Sequence, residues 1–240
     1  TSKGQAVVNV INTESTERVT SILSYSLKRQ EQKDHGVAFI IMATKKGIVK
    51  KTKLSEYENI RRNGLIAIKL EAGDELIWVK ITSGTDEVLL VTHEGKSIRF
   101  NESEVRTTGR DTMGVRGVLM GATDHLVSMD VINPENKEGE FLTIMERGIG
   151  KKTKISDFPS QRRGGQGVKV ADVKDKTGKV IVSQIVPAES DGVVITSTKG
   201  QVVKLPLASV PRLGRATSGV ILMRFTNPGD TVAAATCVNG

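Results

Sequence analysis

Aromatic residues make up only 3% of this 240-residue chain. That scarcity removes the stacking platform on which proteins usually hold single-stranded nucleic acid. Cysteine occurs once, at Cys237, so no disulfide within the chain and no cysteine-based metal centre can form, a pattern that fits a reducing compartment. The three histidines, His35, His93 and His125, are scattered without metal-ligand spacing, so no metal site is expected. No run of about 18 apolar residues is present, which argues against a helical membrane span. The segment Thr1 to Val10 lacks the basic start and apolar core of a signal peptide. What the chain does have is positive charge. Its 35 Lys and Arg outnumber its 27 Asp and Glu, for a formal net charge of +8. That balance favours an anionic partner: nucleic acid, an acidic protein or a membrane surface.

It also has repetition. A glycine suited to a tight turn recurs at Gly47, Gly95, Gly148 and Gly200, with spacings of 48, 53 and 52 residues. Four residues after each comes a cation: Lys51, Arg99, Lys152 and Lys204. Five further on comes a small polar or acidic residue: Glu56, Glu104, Asp157 and Ser209. Shared by successive repeats, these read as turn or salt-bridge residues, not catalytic carboxylates. A second glycine then opens an apolar run, at Gly64, Gly114, Gly164 and Gly219. A period near fifty is that of a propeller-like array.

The apolar runs are short and β-rich. Val37–Ala43, Glu87–Thr92, Glu140–Met145 and Gly192–Thr196 each precede a turn glycine and read as buried strands. A second strand carries the cation. A third is expected over Leu65–Leu70, Val115–Met120, Gly167–Val170 and Val220–Phe225, and a fourth over Glu75–Ile81, His125–Val131, Lys179–Ile185 and Thr231–Val238. Four strands are the content of one propeller blade. The chain divides into a half repeat, 1–35, and four whole ones at about 36–85, 86–138, 139–190 and 191–240, forming one domain. It begins mid-repeat and without methionine, which reads as a fragment truncated at its N-terminus. Ser26–Gly36 and Asn133–Gly139 read as charged linkers. Trp78, Met42 and Met145 fall on strands and read as core.

The sharpest local feature is Gln161-Arg162-Arg163-Gly164-Gly165-Gln166-Gly167. Its glycines allow close backbone approach and a nest of N–H groups for an anion. Its arginines supply planar, permanent charge suited to phosphate. Arg61, Arg62, Arg110 and Arg215 occupy similar places before the second glycines. Together with Lys50, Lys51, Arg99, Lys151, Lys152 and Lys204 on the second strands, they would form a basic track over the array. Contacts of that kind hold a duplex by its phosphates and carry little sequence information.

The heptapeptide resembles the Q-R-R-G-G-K-G box motif of the DNA gyrase A protein family, with Gln166 in place of its lysine. Met42–Tyr57, Gly64–Leu70, Gly73–Gly84, Glu94–Arg106 and Gly114–Met120 resemble the C-terminal domain of that family, in order and along essentially the whole chain. Here the box lies in the third complete repeat, whereas the family's principal box lies in the first. The resemblance implies an all-β pinwheel, a propeller variant with four-stranded blades that exchange strands. It implies that duplex DNA wraps the basic outer rim in support of negative supercoiling. It further implies a bacterial, cytoplasmic, nucleoid-associated protein that partners the rest of gyrase A and the gyrase B protein in an A2B2 complex. The whole assembly would be an ATP-dependent type IIA topoisomerase, with the cleaving tyrosine, ATP and Mg elsewhere; no catalytic residue and no cofactor are expected in this chain. Two alternatives stay open: the C-terminal domain of the corresponding topoisomerase IV protein, and a propeller that docks acidic proteins.

Overall fold

The computed structural model describes residues 19–23, 38–58, 64–134 and 138–239. The half repeat, except residues 19–23, lies outside the described residues, as do Arg61, Arg62, the whole of the first linker and residues 135–137 of the second. The four turn glycines close four hairpins. β1 (Phe39–Thr44) turns into β2 (Ile48–Lys53), β4 (Glu87–Thr92) into β5 (Lys96–Asn101), β8 (Glu140–Met145) into β9 (Ile149–Lys154), and β12 (Gly192–Ser197) into β13 (Val202–Pro206). All four glycines have positive φ, 75 to 86°, the conformation that favours glycine. A single 3-10 turn follows each second strand.

Against the free side of each first strand lies a longer strand: β3 (Leu76–Thr82), β7 (Leu126–Ile132), β11 (Val180–Ile185) and β15 (Val232–Val238). Neighbours in this series touch one another, so they form the inner edge of the array. The outer edge is built by exchange. β6 (Val115–Arg116) belongs to the second repeat but pairs with β2 of the first. β10 (Val168–Lys169) likewise pairs with β5, and β14 (Val220–Ile221) with β9. The strand orders are β3-β1-β2-β6, β7-β4-β5-β10 and β11-β8-β9-β14. The fourth blade, β15-β12-β13, shows three strands among the described residues, against the four expected.

The third strands are also shorter than the sequence suggests. Each ladder is two residues long, and 65–70 carries none among the described residues. These segments cross between blades, so only a dipeptide runs alongside the neighbour before the chain turns inward. The turn is marked by the same backbone bond at each junction: Gly117 N–H to Gly47 O (2.8 Å), Val170 N–H to Gly95 O (3.0 Å) and Leu222 N–H to Gly148 O (2.8 Å).

Both faces of β1, β4 and β8 are buried, which explains unbroken apolar runs where alternation would otherwise appear, whereas Val194 and Thr196 leave one face of β12 half-buried. Val88 and Leu90 point into a core shared with Ile41, Ala43 and Val49 of blade 1. Leu89 and Val91 point the other way, to Phe141, Met145 and Phe158 of blade 3. The cores therefore lie between blades, and the blades cohere by burying each other's faces. Met42 and Met145 are buried, and Trp78 packs against the core between blades 1 and 2.

Candidate nucleic-acid interface

The second-strand cations do not form a surface track. Lys50, Lys51, Arg99 and Lys151 are 0–5% exposed. The cause is strand exchange: the loop ahead of each exchanged strand runs across the neighbour's second strand. Thr108, Gln161 and Leu213 donate backbone N–H groups to the carbonyls of Lys51, Arg99 and Lys152 at 2.7–2.9 Å. The covered side chains find partners inside the fold, as burial demands, save that Arg99 Nε is buried without one. Lys51 donates to Glu102 O (2.8 Å), lies 3.5 Å from the Glu102 carboxylate and sits 5.1 Å above the Phe39 ring. Arg99 donates to Ile155 O and Phe158 O, both at 3.1 Å, and pairs with Glu87. Lys152 pairs with Glu140 at 2.8 Å. Of the four, Lys204 alone is exposed, and no loop among the described residues crosses its strand.

Lys50 and Lys151 occupy the preceding step. Lys50 donates to Thr52 Oγ1 (2.6 Å) and Ala67 O (3.0 Å). Lys151 donates to Gly214 O (2.7 Å), Arg215 O and Thr217 Oγ1 (3.1 Å). Neither forms an ion pair among the described residues, and burial pulls both ammonium groups down to about 8. These lysines hold loops in place, and the sequence-based assignment of Lys50, Lys51, Arg99, Lys151 and Lys152 to an external track is corrected here.

The glycine-box loop bridges the outer edges of blades 1 and 2. Gln161 N–H donates to Arg99 O, Gly164 N–H to Gly117 O (2.6 Å), and Leu119 N–H to Gly165 O (2.8 Å). Arg163 N–H donates to the Glu104 carboxylate at 3.1 Å. With three of the loop's N–H groups committed to neighbouring segments, the expected anion nest is largely spent on holding the loop down. The arginines divide. The Arg163 guanidinium donates to Glu104 O (2.9 Å) and Arg116 O (3.1 Å). One repeat later, Arg215 donates to Asp157 O and to Lys169 O (2.8 Å). In the preceding repeat, Arg110 lies 3.9 Å from Glu56. These three arginines share one position and tie each loop to the preceding repeat. Arg162 is exposed and makes no ion pair among the described residues.

This frame also moves one repeat landmark. Gly167, not Gly164, matches Gly114 and Gly219. A Cβ on Gly114, Gly167 or Gly219 would lie 2.2–2.5 Å from the backbone oxygen of Val49, Ser97 or Gly150, the same step of three successive second strands.

A family model described as the DNA gyrase C-terminal domain, beta-propeller, matches residues 38–83, 86–133, 140–186 and 193–239. The chain belongs to that family. It is 38% identical over 224 residues to the DNA gyrase A protein of Staphylococcus aureus (strain MRSA252), a match covering 93% of the chain and 24% of that protein. The domain thus spans about a quarter of the length of such relatives. Among solved structures it is similar to the C-terminal domain of DNA topoisomerase IV, with 25% identity and a TM-score of 0.85 over 98% of this chain and 71% of that one. A DNA gyrase A C-terminal domain gives 22% identity and a TM-score of 0.80 over 98% and 75%, a likeness of fold.

Within this gyrase-family domain, the exposed cations that sequence reasoning missed stand on the exchanged strands. Arg116 and Lys169 are the outermost cations of blades 1 and 2, and both are exposed. Strand exchange hid them, because the sequence gives no sign that a third strand becomes another blade's rim. No group of three or more acidic, histidine or cysteine side chains suited to a metal occurs among the described residues. No helix among them is long and apolar enough to cross a membrane.

Proposed function

We propose that this domain binds and bends duplex DNA over its outer edge, as the C-terminal part of a DNA gyrase A protein supporting negative supercoiling. The observation that carries the reading is the 38% identity to gyrase A, together with the box sequence presenting Arg162 to solvent. Bending 20–30 base pairs by 40–90° costs roughly 1–6 kcal/mol, more than one loop offsets over a wrap, so contacts distributed over several blades are required. Lys204 and the partly exposed Arg110 add to Arg162 on this reading, and Arg163 and Arg215 act as struts beneath. The domain itself takes no cofactor. The remainder of gyrase A and the gyrase B protein complete an A2B2 enzyme in the bacterial cytoplasm, at the nucleoid, where ATP and Mg serve the other domains. The higher TM-score with topoisomerase IV supports a second reading, the sister domain of that enzyme.

A topology assay tests the proposal. Relaxed closed-circular DNA is incubated with the chain, relaxed again with a type I topoisomerase, and stripped of protein. A positive linking-number shift that grows with protein and shrinks in Arg162→Ala is the expected result. Absence of both a shift and salt-sensitive binding to linear duplex would overturn it in favour of a protein-docking propeller.

A further inference from the structure

We infer that Arg116 and Arg162 together form a phosphate clamp astride the box glycines, with Arg116 as the arm that the box motif itself does not contain. The inference rests on the duplex-DNA reading above and assigns its strongest contact. Arg116 lies on β6, the exchanged outer strand of blade 1; Arg162 lies on the loop that crosses to blade 2. Arg116 packs against Gly164, two residues beyond Arg162 on that loop. A Cβ placed there would stand 4.0 Å from both Cβ and Cδ of Arg116, so the Arg116 side chain lies along the glycine turn. The turn is rigid at this point. Gly164 N–H is bonded to Gly117 O, and the Arg116 carbonyl is held by Arg163. Two exposed arginines are therefore anchored at one immobilised turn, one packed on it and one two residues before Gly164, and neither is neutralised by an ion pair among the described residues.

The neighbouring junction shows what this one lacks. At the equivalent of Arg116 stands Lys169, which lies 3.8 Å from Asp172; Lys174 also pairs with Asp172, at 2.6 Å. The equivalent of Asp172 in the box junction is Leu119, whose side chain is exposed and uncharged. The equivalent of Arg162 is Gly214. In the last repeat the Arg116 position is Ile221. Uncompensated charge is thus concentrated at one seam of the rim. Glu104, the nearest acid to the loop, is turned to the Arg163 N–H. Guanidinium groups are weakly hydrated forks that match phosphate geometry, so two of them fixed on one turn suit adjacent phosphates of a duplex backbone.

The test is the salt dependence of binding to a linear duplex, measured by fluorescence anisotropy from 50 to 200 mM salt. Each lost phosphate contact flattens the slope of log K against log[salt] by about 0.9, which over this fourfold range is a difference of roughly threefold in affinity. Arg116→Ala and Arg162→Ala should each flatten it by that amount with unchanged thermal midpoint. Leu119→Asp, which imports the compensation of the next repeat, should flatten it too. Arg163→Ala should instead lower the midpoint. An unchanged slope in Arg116→Ala and Leu119→Asp, alongside a flattened one in Arg162→Ala, overturns the clamp and leaves the DNA reading standing. No salt-sensitive binding by the parent chain overturns both.

Discussion

At the scale of single residues, the buried cations are the informative ones. The Lys151 ammonium is enclosed by two carbonyls and a threonine hydroxyl of the next repeat's loop. Burial, and to a lesser degree the charge of Arg215, holds it at about 8 against the ordinary lysine value of 10.5, with Asp172 pulling weakly the other way. The sign of the consequence is fixed. Between those two values the unfolded chain keeps the proton and the folded chain releases it, so the contribution of Lys151 to stability rises with pH across that window. Urea unfolding of the parent and of Lys151→Met at several pH values from about 7 to 10 should show their difference moving in favour of the parent. Parallel pH profiles would mean that the ammonium is no worse solvated folded than unfolded. The sequence displayed these cations plainly as a repeated feature yet pointed them the wrong way. A signal for burial was present: Glu87 and Glu140 precede Arg99 and Lys152 by the same twelve residues and pair with them. In the first repeat that place holds Phe39, beneath Lys51. A cation whose repeat-mates carry a partner at fixed distance belongs to the scaffold. Lys50 and Lys151 have no such acidic partner among the described residues, since backbone carbonyls accept from them, and carbonyls leave no trace in a sequence.

At the scale of elements, hairpins were legible and exchange was not. Each hairpin is local, declared by an apolar run, a glycine and a second run within about fifteen residues, so local chemistry suffices. The third strands are assigned by contacts about seventy residues away, and their two-residue ladders are too short to impose a strand pattern. What did mark them is the glycine at each crossing, where backbones approach too closely for a side chain. The hairpin glycines allow the two demands on such a residue to be separated. Gly148 and Gly200 have φ of 75° and 86°, so alanine is strained at both. At Gly148 a Cβ would also stand 2.3 Å from Met223 O of the crossing strand, whereas at Gly200 it meets nothing within 4 Å. Gly200→Ala should therefore cost about 1–2 kcal/mol, the strain of the backbone conformation alone. Gly148→Ala should cost at least ~1 kcal/mol more, because a main-chain oxygen cannot yield without shifting the exchanged strand. Equal losses in chemical denaturation would mean that the crossing is loose enough to absorb a methyl group.

At the scale of the whole molecule, strand exchange leaves the array with unlike ends. In blade 4, among the described residues, several positions that another repeat covers elsewhere are bare. Gly200 faces open space, Lys204 is exposed where Lys51 and Arg99 are buried and Lys152 half-buried, and Val202 is 59% exposed on the strand edge that β6, β10 and β14 occupy in the other blades. At the other end, residues 64–70 form no ladder among the described residues, and Ile66 on that segment is 63% exposed. Among the described residues, one end thus offers an unpaired outer edge, the other an extended segment of the kind that fills such edges. An uncovered edge with an apolar side chain on it is a template for pairing. Pairing the edge of one molecule with the free segment of another is a head-to-tail contact, and such contacts propagate unless the rotation closes a ring. The isolated chain should accordingly show a mass that rises with concentration in sedimentation experiments. Val202→Lys, which charges the edge where Ser97 and Gly150 receive their exchanged strands, should hold it monomeric without lowering its thermal midpoint, since Val202 packs against little in the parent. A variant that associates as the parent does would place the contact elsewhere. A parent that stays monomeric at all concentrations would mean that charge repulsion at a net +8 outweighs the pull of an open edge.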